Sequence, residues 1–170
     1  EVLRVAAVQL TTTADKGHNV ATAGRLVAAA ADRGARLIVL PEKWNLIDVE
    51  RRQVADAEPL TGPSLSAARE WALRHGIALL AGSISETARE TDRAYNTSVL
   101  IAPTGEVAVT YRKIHLFDVA VDAGPTDTES ARVSAGGAAV CADIDGVAVG
   151  LTICYDLRFP ELYRSLAIAG

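Results

Sequence analysis

The chain opens on LRVAAVQL (3–10), a β-branched apolar run of strand length, and the polar stretch TTTADKGHN after it reads as a turn. The period then changes. Val20, Ala23, Val27 and Ala30 recur at helical spacing, and Gly34 closes the pattern as a C-terminal cap. The next apolar run, Leu37 to Leu40, has no polar alternation, which predicts a strand buried on both faces and stopped by Pro41 just before Glu42. A charge-rich loop, DVERRQVADAE (48–58), leads to Thr-Gly-Pro-Ser. There Ser64 is placed to cap a helix that runs to about His75, with Gly76 after it. IALLAGSI (77–84) returns as a strand.

YNTSVLIA and EVAVTYRK flank Pro103-Thr104-Gly105, and AAVCADI and VAVGLTI flank Asp145-Gly146, so both pairs predict antiparallel hairpins. Between them lies a polar, Gly-rich segment from about Asp118 to Gly137, long enough by loop-length expectations to be either functional or mobile. A last helix starts near Pro160. Helices alternate with strands early and hairpins follow, which places the chain in the α/β class with a mixed sheet. The final helix stops on apolar residues without a polar tail, as expected of a longer protein cut at this point.

Length and composition narrow the function. At 170 residues the chain supports one sizeable core. The net charge of −4 comes with no concentration of Lys or Arg, so a surface able to neutralise several phosphates is missing and nucleic acid is disfavoured as a partner. Apolar runs are broken by charge or Gly well short of the roughly 18 residues a membrane span needs, and the N-terminus shows no secretory pattern. The expectation is a cytoplasmic protein that does not bind membranes. The cysteines, Cys141 and Cys154, are read as reduced, and the scattered His18, His75 and His115 have no zinc-site spacing.

Glu42, Lys113 and Cys154 each follow a predicted strand, at the carboxyl edge where open α/β sheets bind ligands. A free thiol is only slightly ionised at neutral pH and needs a base or a cation to act as a nucleophile. Glu42 is a candidate base that takes the proton as sulfur attacks, since a carboxylate does not favour a standing thiolate. Lys113 is a candidate cation for the thiolate and for an oxyanion. A helix beginning beyond Cys154 would aim backbone N–H groups, Tyr155 first, at the same oxygen. Taken singly, each residue also has an ordinary explanation: a core thiol, a loop carboxylate, a surface lysine. Cys141 takes the core reading.

LPEKWN around Glu42, YRKIHLFD around Lys113 and GLTICYDLRFPELYR around Cys154 resemble the nitrilase superfamily of carbon-nitrogen hydrolases in order and separation, and RVAAVQL and YNTSVLI extend the likeness over nearly the whole chain. The resemblance implies a four-layer α-β-β-α sandwich and amide hydrolysis through a Glu-Lys-Cys triad, with no metal and no cofactor. It assigns Glu42 as general base and acid, Lys113 as oxyanion stabiliser and Cys154 as nucleophile. It also matches Glu129 to a second family glutamate that positions Lys113, the substrate amide or the hydrolytic water. Ala135-Gly136 stands where similar members often have Pro-Gly. The KIHLFD and CYDLRFPEL versions look most like the branch that includes omega-amidases and deaminated-glutathione amidases.

Trp44, Phe117 and Tyr155 are candidate walls of a small pocket. Arg158 either meets a substrate carboxylate or pairs with Asp156 or Glu161, and His115 either reaches the site or hydrogen-bonds locally. The expected function is hydrolysis of a small non-peptide amide with loss of ammonia. N-carbamoyl hydrolysis or glutaminase activity is the alternative within the superfamily, and a non-catalytic interaction protein the alternative outside it. The resemblance makes residues 1–170 the N-terminal portion of a single hydrolase domain and the complete protein a homodimer.

Overall fold

The structure is a computed structural model that describes residues 2–47, 54–88, 92–120 and 127–169. The first part of the charge-rich loop, 48–53, and residues 121–126 of the polar segment lie outside the described residues.

Strand β1 (Val5–Ala7), helix α1 (Lys16–Asp32), strand β2 (Leu37–Val39), helix α2 (Pro63–His75) and strand β3 (Ala78–Thr87) form the alternating first part. β1, β2 and β3 are parallel neighbours. β4 (Ala94–Ile101) and β5 (Val107–Arg112) then extend the sheet antiparallel, so it is mixed as the hydrophobic pattern predicts. Asp15 caps α1 by accepting from His18 N–H. Gly34, at φ 79°, turns the chain back toward β2. At α2 the cap is Gly62 rather than Ser64, because Pro63 has the backbone angle and the missing donor that suit a first helical position. Ser64 is left inside the helix, where its N–H and hydroxyl both donate to Glu58.

The polar segment forms short pieces: β6 (Asp118–Val119) paired with β7 (Asp127–Thr128), a 3-10 turn Glu129–Ala131, and β8 (Val133–Ser134). β8 runs parallel to the start of β4 and so completes the larger sheet. β9 (Val140–Ile144) and β10 (Val147–Leu151) form the second hairpin, with Asp145 and Gly146 both at positive φ, as a tight two-residue turn requires. A 3-10 turn, Cys154–Arg158, leads into α3 (Pro160–Ala169).

Alternation in β4 sorts its side chains between two cores. Val99 and Ile101 face α1 and α2, while Leu100 faces the hairpin together with Tyr111, Ile144, Leu151 and Ile153. α3 covers the outer side of that hairpin, so close that a Cβ on Gly150 would lie 2.9 Å from Leu166 Cδ1. The layers are therefore helices, larger sheet, hairpin and helix, which is the expected α-β-β-α order. No helix among the described residues is long and apolar enough to cross a membrane.

Candidate active site

Glu42 owes its place to a close crossing of backbone. Leu40 N–H donates to Leu80 O at 2.9 Å and Ser83 N–H to Pro41 O at 3.3 Å. A Cβ on Gly82 would lie 1.8 Å from Leu40 O, so no other residue fits there. Lys43 takes φ 54° and donates its N–H to Ser83 Oγ at 3.0 Å, reversing the chain directly after Glu42. That reversal corrects the expectation for Trp44. It is 0% exposed, lies in the helix-side core edge-on to Trp71 with centroids 5.8 Å apart, and lines no substrate pocket.

Lys113 follows β5 and is anchored through its backbone to neighbours on both sides. Its N–H donates to Asn96 O at 2.9 Å, and its carbonyl accepts from Gly136 N–H at 2.8 Å. The second contact needs glycine, because a Cβ there would lie 2.1 Å from Arg112 O; Ala135-Gly136 thus seats the loop against the Lys113 strand. Lys113 Nζ, buried, lies 2.8 Å from Glu129 Oε2 and 3.4 Å from Glu42 Oε1. Glu129 also accepts from Phe117 N–H at 2.7 Å. Asn96 Nδ2 bridges the carboxylates, 2.7 Å from Glu42 Oε1 and 3.4 Å from Glu129 Oε1. Asn96 is absent from the residues picked out by sequence. Its only signal there is an amide inside an uncharged, largely buried strand.

Cys154 is exposed and has φ 48°, a left-handed conformation that costs a non-glycine residue energy and must be held by its surroundings. Asp156 supplies the hold. Wholly buried, it accepts from Ile153 N–H at 2.9 Å, Tyr111 hydroxyl at 2.6 Å and His115 N–H at 3.0 Å, and contacts His115 Nδ1 at 2.8 Å. His115 therefore turns to Asp156 and stacks on Phe159, while its neighbour Lys113 turns to the carboxylates. Cys141 lies apart, with its thiol near Leu166 O.

The charges favour a resting thiol. Burial, then the negative charge of Glu42 and a hydrogen bond to it, push Cys154 above the ordinary thiol value, and Lys113 only partly opposes them. For Lys113 burial works against the charged form. The hydrogen bond to Glu129 and the charge of Glu42 outweigh it, and the ammonium is held above its usual value. A protonated thiol near a carboxylate and a fixed ammonium is suited to attack on a carbonyl with concerted proton transfer.

Beside Cys154, Tyr155 meets Phe117 edge-on with centroids 5.0 Å apart. Arg158 is exposed and pairs with neither Asp156 nor Glu161 among the described residues, since Asp156 is fully engaged inward. No described group of His, Cys, Asp and Glu side chains is arranged to hold a metal ion.

The profile of carbon-nitrogen hydrolases matches residues 4–170. The chain belongs to this family. It is 37% identical over 168 residues to the chloroplastic omega-amidase of Arabidopsis thaliana, covering 95% of this chain and 45% of that protein. It is 38% identical over 169 residues to the deaminated glutathione amidase of Synechocystis, covering 97% of this chain and 62% of that protein. Among solved structures, Nit3 of Saccharomyces cerevisiae, a member of branch 10 of the nitrilase superfamily, aligns with TM-score 0.82 and 31% identity over 97% of this chain and 60% of its own. The chain thus spans about half to three-fifths of the length of the curated relatives named here.

Proposed function

We propose that the complete protein is a cysteine-dependent amidase acting on a small non-peptide amide. The observation that carries this is the cluster of Cys154, Glu42 and Lys113, brought together from the ends of β10, β2 and β5, with Lys113 Nζ 3.4 Å from Glu42 Oε1 and Cys154 near enough to Glu42 for that carboxylate to raise its thiol. The amidase names of the relatives favour amides over N-carbamoyl compounds as substrates. The mutual dependence of the clustered groups favours catalysis over a purely structural role.

In the reaction Cys154 Sγ attacks the amide carbonyl while Glu42 takes the thiol proton. The oxyanion is offset by the Lys113 ammonium and by the Tyr155 N–H at the start of the 3-10 turn, a donor with no partner inside the turn. As the carbon–nitrogen bond breaks, Glu42 passes its proton to the departing nitrogen, and ammonia leaves behind a thioester. Water then attacks the thioester with Glu42 as base, and the thiol and a carboxylic acid product are released. Glu129 holds Lys113, and Asn96 holds Glu42 and Glu129 relative to one another. Phe117 and Tyr155 form an aromatic wall beside the nucleophile.

The reading includes a cytoplasmic homodimer. Its support is the exposed Leu157 and Ile168 on and beside α3, a surface that a second copy would cover. Ammonia release from small monoamides by the full-length protein tests the activity. Release that disappears in Cys154→Ala supports the reading, and equal release from both proteins overturns it. Light scattering on the same sample tests the dimer.

A further inference from the structure

We propose that the groove between α1 and α2, on the outer side of the helix layer, is a second ligand site that takes a small carboxylate with a flat apolar body. It is separate from the catalytic cluster. Trp71, in the wall of this groove, packs on the core at the helix side of the larger sheet, whereas Asn96, which donates to Glu42, shares the hairpin side with Leu100 of the same strand. The proposal is therefore independent of the amidase reading.

The course of the two helices sets the shape of the groove. Lys16 and Ser64 share Glu58 as a partner near the start of each helix, and a Cβ on Gly24 would lie 2.9 Å from Trp71 Cζ2 further along both. α1 and α2 therefore run side by side in the same direction, and Arg25, Arg74 and His75 gather toward one end. Gly17, Ala21, Gly24 and Ala28 recur at helical spacing, so this stripe of α1 turns no side chain larger than a methyl into the groove. The half-buried indole of Trp71 rests against that backbone and forms an apolar wall. The groove encloses about 640 Å³, within the roughly 300–1,000 Å³ of small-molecule sites.

Charge then selects the ligand. No carboxylate lines the groove among the described residues. Lys16, at one end, is already matched by Glu58 at 2.7 Å. At the other end Arg25 donates to the neutral Thr22 Oγ1 at 3.2 Å, and Arg25, Arg74 and His75 form no ion pair among the described residues. Arg74 and His75 sit in the last turn of α2, where the helix dipole accounts for them. Arg25 has no such account: it stands in the body of α1, with alanine four positions away on either side and no acidic neighbour along its own helix face. Two guanidinium forks beside an imidazole present the donor array that a planar carboxylate accepts in parallel. The apolar body of such a ligand would lie along Trp71 and the small-residue stripe, and the Trp71 N–H, without a partner among the described residues, adds a donor at the wall.

The test is titration calorimetry on the full-length protein with 2-naphthoate and its neutral counterpart 2-naphthalenemethanol. Naphthoate should bind saturably with one site per chain, and the alcohol at least about tenfold more weakly. Arg25→Gln combined with Arg74→Gln should weaken naphthoate by about 10- to 100-fold and leave the alcohol unchanged. Ala21→Phe, which fills the groove from an exposed position, should abolish binding of both probes without lowering the melting temperature. Cys154→Ala should bind naphthoate as wild type does. Absence of saturable binding, equal affinity for the two probes, or affinity indifferent to the groove substitutions overturns the site. Binding lost in Cys154→Ala would place the probe at the catalytic cluster and overturns it as well.

Discussion

The Tyr111 hydroxyl donates to Asp156 Oδ2 at 2.6 Å, joining the strand that ends in Lys113 to the turn that carries Cys154. Asp156→Asn keeps the shape but gives the site an amide N–H₂ where a carboxylate oxygen faced donors. The variant should lose about 2–3 kcal/mol of stability, the scale of a broken charged hydrogen-bond group in the interior. Turnover should fall further than stability explains, because the Cys154 backbone is no longer held. Calorimetry and single-turnover kinetics on one preparation measure both. A variant as active and as heat-stable as wild type would mean that Asp156 has no such hold.

Glu42→Gln should separate thiol reactivity from catalysis. Cys154 is raised first by burial and then by the charge and hydrogen bond of Glu42, so removing that charge lowers it and increases the thiolate fraction at a given pH. Iodoacetamide should therefore label Glu42→Gln faster than wild type near neutral pH. Amide turnover should drop by about 10²- to 10⁴-fold with the loss of the proton acceptor. Slower labelling in the variant would contradict the resting charge assignment.

Glu129→Gln removes the hydrogen bond that does most to keep Lys113 charged against burial. The Lys113 value then falls. Activity that needs the ammonium should be lost at lower pH than in wild type, moving the alkaline limb of the kcat profile downward while KM for a neutral amide stays close to its original value. An unmoved alkaline limb would assign it to another group.

Gly82→Ala should prevent stable folding, with a loss above about 4 kcal/mol, because the new methyl meets backbone oxygen and no flexible side chain can yield. Soluble yield and urea denaturation report the outcome. Gly137→Ala, where nothing lies within 4 Å of the added Cβ, is the matched control and should be nearly neutral.

The elements that sequence patterning located are those whose signal is local. The α1 period, the Gly34 and Gly76 turns and the Asp145-Gly146 hairpin depend on neighbouring residues, and the structure has them where the pattern predicts. The placement of Glu42, Lys113 and Cys154 just after β-strands was legible for the same reason. Trp44 was not, since its side depends on the positive φ of Lys43, which nothing in an apolar pattern records. Asn96 and the inward role of Asp156 were missed because they depend on partners across a strand register or a layer boundary. Asp156 and His115, 41 positions apart in the chain, meet only after the hairpin docks on the larger sheet.

Among the described residues β9 and β10 pair only with each other, so the nucleophile rides on a hairpin that shares no backbone ladder with the larger sheet. Apolar side chains and the Asp156 contacts make the attachment. These contacts join distant parts of the chain, Asp156 and His115 lying 41 positions apart, so each carries a loop-closure cost that a local turn does not. A chain whose first sheet has formed holds its proton acceptor and its ammonium without a sulfur between them. On the amidase reading, the catalytic cluster is complete only where that hairpin is docked on the larger sheet.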